Sequence, residues 1–135
     1  MKKLFVSVPM KGRETAAIMK SIAKMKAIAE TIMDEELELI DSYIEDQPPK
    51  DNIQAVWFLG ESIKKLSTAD VFIGISDAYD WDGCYVEREV ARRYGIMDLS
   101  VPPHYVIDNY NELVEERYRQ LCPTCEPCNV KSCHD

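Results

Sequence analysis

The stretch "DVFIGISDAYDWDGCYVEREVARRYG", Asp70 to Gly95, joins two kinds of periodicity end to end. Val71 to Ser76 is an apolar, β-rich run and the strongest strand signal in the chain. Gly83 to Tyr94 has no proline or interior glycine and places Val86, Val90 and Tyr94 at helical spacing, with Gly95 positioned to supply the left-handed residue that ends a helix. Between and into these elements fall five carboxylates within thirteen residues: Asp77, Asp80, Asp82, Glu87 and Glu89. A strand that feeds a helix through an acidic loop is one unit of an α/β fold.

Upstream the same unit recurs. Leu4 to Val8 reads as a strand buried on both faces, and Thr15 to about Glu35 as a helix with an apolar stripe at Ile18, Ile22, Met25, Ala29 and Ile32. Leu37 to Ile40 is a second short strand. "EDQPPKDN", with its two prolines, is a loop, and Val56, Leu59, Ile63 and Leu66 mark a helix across Asn52 to Thr68. Downstream, "YVID" at Tyr105 to Asp108 reads as a fourth strand and Tyr110 to Leu121 as a last helix, while Met97 to Val101 is ambiguous. Strands alternating with helices predict a flavodoxin-like three-layer α/β/α sandwich with a four- or five-stranded parallel sheet.

A chain of 135 residues with 46% hydrophobic and 30% charged residues suits one globular domain. The net charge of −8 argues against a general binder of nucleic-acid backbones, so the expected partner is a small molecule. The apolar run after Lys2 and Lys3 stops at Pro9, too short for a secretory leader or a membrane span. The chain therefore reads as cytoplasmic and independent of membranes. The domain covers residues 1–121; residues 122–135 form a Cys-rich tail that holds four of the five cysteines.

In open parallel sheets, ligands bind beyond the carboxyl ends of the strands, where strand order reverses. The loops after strands one and three are thus the ones of interest. The first sets Gly12 between Lys11 and Arg13 ahead of a helix, an arrangement that can offer backbone N–H groups and cations to a phosphate or ribose. Equally, it can be a tight turn with two solvated cations. In the second, Asp82 is placed as an N-cap, and Asp82 and Glu89 suit a helix dipole. Glu87 shares a face with Ala91 and borders the packed side of the helix. A carboxylate there is expected to stay ionised and to be able to attack an electrophilic carbon. Tyr79 and Trp81 can stack on a flat ring.

"LFVSVPMKG", Leu4 to Gly12, followed by "ADVFIGI" and "WDGCYVEREVARRYG", resembles the nucleoside 2-deoxyribosyltransferase-like superfamily, most closely a set of small uncharacterised domains found in bacteria and phages. Ser7, Pro9, Met10 and Gly12 match the turn after the first strand of that family, and Gly83, Cys84, Glu87 and Ala91 match its Glu-containing segment. The resemblance implies that Glu87 is the nucleophile on the anomeric carbon of a (deoxy)nucleoside or nucleoside 5′-monophosphate, through a covalent glycosyl intermediate. Asp80 or Asp82 then protonates the leaving base. Lys11 and Arg13 resemble the basic residues with which some relatives hold a 5′-phosphate. The two loops thus supply the substrate-binding candidates Ser7, Pro9, Met10, Lys11, Gly12, Arg13, Ser76, Asp77, Trp81, Gly83 and Cys84. Val8 stands where relatives usually have Gly, and Glu61 or Ser62 where active ones carry Asp; Glu61 is the candidate substitute.

Two other functions stay open at this level. One is a nucleotide-binding module of the same fold without turnover. The other is NAD cleavage, since Trp81, Cys84 and Glu87 also resemble a segment of TIR domains. The chemistry requires no cofactor. The tail sets Cys122, Cys125, Cys128 and Cys133 close together, with zinc the first candidate ion and a reduced, metal-free tail the alternative. Relatives pair with the partner completing the pocket, so a homodimer or a multiple of one is expected.

Overall fold

The computed structural model describes residues 1–78 and 81–121, with Leu121 described by its backbone alone. Strands and helices alternate throughout that span: β1 (Lys3–Ser7), α1 (Thr15–Met33), β2 (Glu38–Leu39), α2 (Gln54–Leu66), β3 (Val71–Ile75), α3 (Asp82–Arg93), β4 (Met97–Val101) and α4 (Tyr110–Leu121). The four strands form one all-parallel sheet in the order β2-β1-β3-β4, flanked by helices as in a flavodoxin-like three-layer sandwich. Strand order reverses between β1 and β3. Among the described residues no helix is long and apolar enough to cross a membrane.

Alternation along the strands divides the core. Leu4, Val6 and Val8 of the first strand and its continuation, with Val71, Ile73 and Ile75 of β3, pack against Ile22, Met25 and Ala29 of α1. Phe5 and Phe72 point the other way, onto Leu66 of α2 and Ala91 of α3. The two phenylalanine rings stack with centroids 6.0 Å apart. Each such fully buried side chain contributes roughly 1.5–3 kcal/mol, so this small second cluster suffices to hold α2 and α3 on their face. α3 ends as its sequence requires: Gly95 has φ +79°, and the Ile96 N–H reaches back to the Ala91 carbonyl at 2.9 Å.

The fourth strand is a correction. It is Met97–Val101, hydrogen-bonded to β3 from Val71↔Met97 to Ile75↔Val101, whereas Pro103–Tyr105 is a 3-10 turn and Tyr105–Asp108 makes no strand. Val106 and Ile107 are buried, but they reach the α1-side core from a turn. Apolar, β-branched residues satisfy burial without a ladder. Pro102 and Pro103 just before them, which lack an N–H to donate, favour that outcome.

Candidate functional site

The second apolar cluster continues upward into a polar layer. Two residues beyond Phe5 on β1 is Ser7, and beyond Phe72 on β3 is Gly74, its register partner. One turn before Leu66 on α2 is Ser62, and one turn before Ala91 on α3 is Glu87. Strand and helix periods therefore deliver Ser7, Ser62 and Glu87 to one level, at the carboxyl end of the sheet and at the point where strand order reverses. Gly74 makes room for this layer. A Cβ there would lie 2.9 Å from Phe72 Cε1 and 3.7 Å from the Ser7 Cβ.

Glu87 is only 9% exposed. Ser7 Oγ donates to its Oε1 at 2.7 Å, and Ser62 Oγ donates to its Oε2 at 2.5 Å. Burial raises the carboxyl's pKa above its ordinary value, while the two hydroxyls, Ser62 foremost, pull it down without cancelling the effect. Desolvation thus outweighs both donors. Cys84, one turn earlier on the same buried stripe, has its thiol pushed up to about 12, first by burial and also by the Glu87 charge, against a hydrogen bond from the Ser7 side and the Arg117 cation. At neutral pH it is a neutral neighbour, not a nucleophile. Arg88 ties this helix to the sheet, donating to the Ile75 carbonyl at 3.2 Å and to Asp98 at 3.4 Å.

The other predicted residues take varied places. Glu61 is not the partner of Glu87; its carboxylate pairs with Lys64 at 3.0 Å, and the neighbouring Ser62 meets the nucleophile candidate instead. Asp82 is not an N-cap. Trp81 occupies that position, Asp82 is the first helical residue, and its exposed carboxylate lies 3.3 Å from Arg117 Nη2. Arg13 is turned inward from the loop, donating to the carbonyls of Pro9 at 2.9 Å and Ala17 at 3.3 Å and to Ser21 Oγ at 2.6 Å. Ser21 in turn donates to the Val106 carbonyl. Arg13 thus braces the β1–α1 loop, and the cation left on its rim is the exposed Lys11, beside Met10 and the left-handed Gly12.

Trp81 is likewise spent on structure. It is 5% exposed, its Nε1 donates to the Tyr110 hydroxyl at 3.0 Å, and the Arg117 guanidinium carbon sits 5.1 Å from the ring centroid. Its ring is therefore not an open stacking surface. Trp81 lines, with Lys11, Gly12, Glu116, Arg117 and Gln120, a shallow open cleft that Glu87 does not line. Of the remaining candidates, Ser76 is half-buried and its N–H donates to the Val101 carbonyl at 2.8 Å. Asp77 is exposed with φ 59°, and Gly83 is exposed with open space beside it. Asp80, Tyr79 and the tail cysteines Cys122, Cys125, Cys128 and Cys133 lie outside the described residues. Among the described residues no group of three or more His, Cys, Asp or Glu side chains is placed to hold a metal ion.

One feature had no reading in the sequence. Arg117 reaches Trp81 and Asp82 from α4, which no local pattern reveals. Ser62 carried a signal, its position one turn before the core residue Leu66, but only the packing of α2 on α3 brings it to Glu87. Comparisons with protein-family models, with curated proteins and with solved structures find no match for this chain.

Proposed function

We propose that the protein cleaves or transfers at the N-glycosidic bond of a (deoxy)nucleoside or nucleoside 5′-monophosphate, with Glu87 as nucleophile. The supporting observation is the pair of hydroxyls on the Glu87 carboxylate, 2.7 Å and 2.5 Å away, at the strand-order reversal. An ionised carboxylate has about four lone-pair sites, so two donors fix its orientation and leave others to attack. Burial makes it more basic than an exposed carboxylate, and therefore a stronger nucleophile once ionised. In the first step a Glu87 oxygen bonds to the anomeric carbon as the carbon–nitrogen bond breaks. The electron pair leaves with the base, which takes a proton from Asp80 or Asp82. Water or a second base, giving its proton back to that Asp, then displaces Glu87 from the sugar, for hydrolysis or transfer. The resemblance of the two loop motifs to the deoxyribosyltransferase-like superfamily supports the same assignment, and the proposal includes pairing of the chain as a homodimer.

The test is base release from ribo- and deoxyribonucleoside 5′-monophosphates, the corresponding nucleosides and NAD, comparing wild type with Glu87→Gln. Release by wild type that is lost in the variant is expected, as is trapping of a 2-fluoro-2-deoxyribosyl group on the Glu87 peptide. The near-complete burial of Glu87, with both oxygens engaged, favours a second reading, a nucleotide-binding module without turnover. Tight nucleotide binding with no base released from any substrate would establish that reading and reject the first.

A further inference from the structure

α2 runs antiparallel to the strands it connects, so its first turns stand at the carboxyl end of the sheet, above Ser62. Trp57 and Phe58 are both half-buried there, yet neither belongs to either apolar core cluster. They pack on each other edge to face, with centroids 5.0 Å apart and an interplanar angle of 84°. Phe58 is four residues before Ser62 and hence on the same helical row, and Ser62 touches Glu87. Side chains on a helix lean toward its N-terminus, so this row leads from the buried carboxylate outward to the phenyl ring. Ile53 and Val56 extend the apolar surface, 73% and 62% exposed. Two large rings outside the core, one of them a helical turn from the serine that holds the carboxylate, suit a flat apolar partner.

We propose that Phe58, braced edge-on by Trp57, is the platform on which the heteroaromatic base of the ligand stacks, a role the sequence had offered to Tyr79 and Trp81. The inference rests on the reading of Glu87 as the residue that meets the sugar. With the base against Phe58, one turn above Ser62, the anomeric carbon of the same ligand comes down toward the Glu87 oxygens.

The test uses the full chain carrying Glu87→Gln, so that bound ligand is not consumed, with and without Phe58→Ala. Calorimetry compares deoxynucleoside 5′-monophosphates with 2-deoxyribose 5-phosphate, which has no base. Loss of one stacking surface should weaken the monophosphates about tenfold, equivalent to about 1.4 kcal/mol, and leave the base-free sugar phosphate unchanged. Phe58→Tyr, which keeps the ring, should restore affinity. In the otherwise native chain the monophosphates should quench tryptophan emission, and Trp57→Phe should remove that quench, a readout that does not depend on how well Phe58→Ala folds. The proposal is overturned if both ligand types weaken equally, if neither changes, if no base-bearing ligand binds at millimolar concentration, or if Phe58→Ala alters the molecular mass in light scattering and not binding. Phe58-dependent binding of the base without base release by wild type would uphold the platform and reject the glycosidase reading.

Discussion

Replacing Glu87 by Gln isolates the cost of burying one carboxylate. The native group gives up water at a penalty of several kcal/mol. Two hydroxyl donors return about 1.5–3 kcal/mol each, and the raised pKa says that they fall short. Gln keeps both contacts: one serine donates to its carbonyl, and the other turns its hydroxyl to accept from the amide. Those neutral bonds are weaker, about 0.5–1.5 kcal/mol each, but no charge is desolvated. The expected net gain at pH 8 is about 1 kcal/mol, or about 3 °C in Tm for a domain of this size.

The pH dependence has a definite sign. Glu87 binds its proton more tightly when folded, so from its ordinary value of 4.5 upward to its raised value the native state holds more protons than the unfolded one. Stability contributed by Glu87 is present below that window and lost as pH rises through it. Urea unfolding of both proteins between about pH 4 and pH 8 should therefore show nearly equal stabilities at the acid end and a gap in favour of Glu87→Gln that widens with pH. A wild type more stable than the variant at pH 8, or a gap independent of pH, would refute the claim that burial outweighs the two serines.

Gly74→Ala places a Cβ 2.9 Å from the fully buried Phe72 ring and should destabilise by about 1–3 kcal/mol in urea unfolding; an unchanged midpoint would mean that the ring can move. Arg13→Ala removes donors to Pro9, Ala17 and Ser21 and should cost about 1–2 kcal/mol, whereas lost nucleotide binding at full stability would return Arg13 to the role of a ligand contact. Cys84, with its thiol pushed up to about 12, should resist iodoacetamide at pH 8 until the chain is unfolded in urea; peptide mapping that shows native alkylation would contradict its burial.

How legible these features were in the sequence depends on how local their causes are. β1, β3 and α3 were readable because apolar alternation and helical spacing are properties of neighbouring residues, and Gly95 marks its own left-handed stop. β4 was ambiguous because an edge strand need not be apolar throughout: Asp98 sits in it and pairs with Arg88 of α3. Val106 and Ile107 suggested a strand because burial and strand pairing favour the same residue types. The position of Glu87 at the border of the packed side, on one face with Ala91, was visible from helical spacing alone. Its partners were not.

The sequence by itself therefore determined the succession of strands and helices through α3, the parallel α/β class and the carboxylate on the packed side of α3, because each follows from periodicities of two and 3.6 residues acting within one segment. Only the tertiary structure decided that Ser7, 80 residues away, and Ser62, 25 residues away, close on that carboxylate. It also turned Arg13 and Trp81 inward and left Phe58 at the rim. Such meetings depend on strand order, register and the relative height of two helices, which are set by packing across the whole core and leave no local trace.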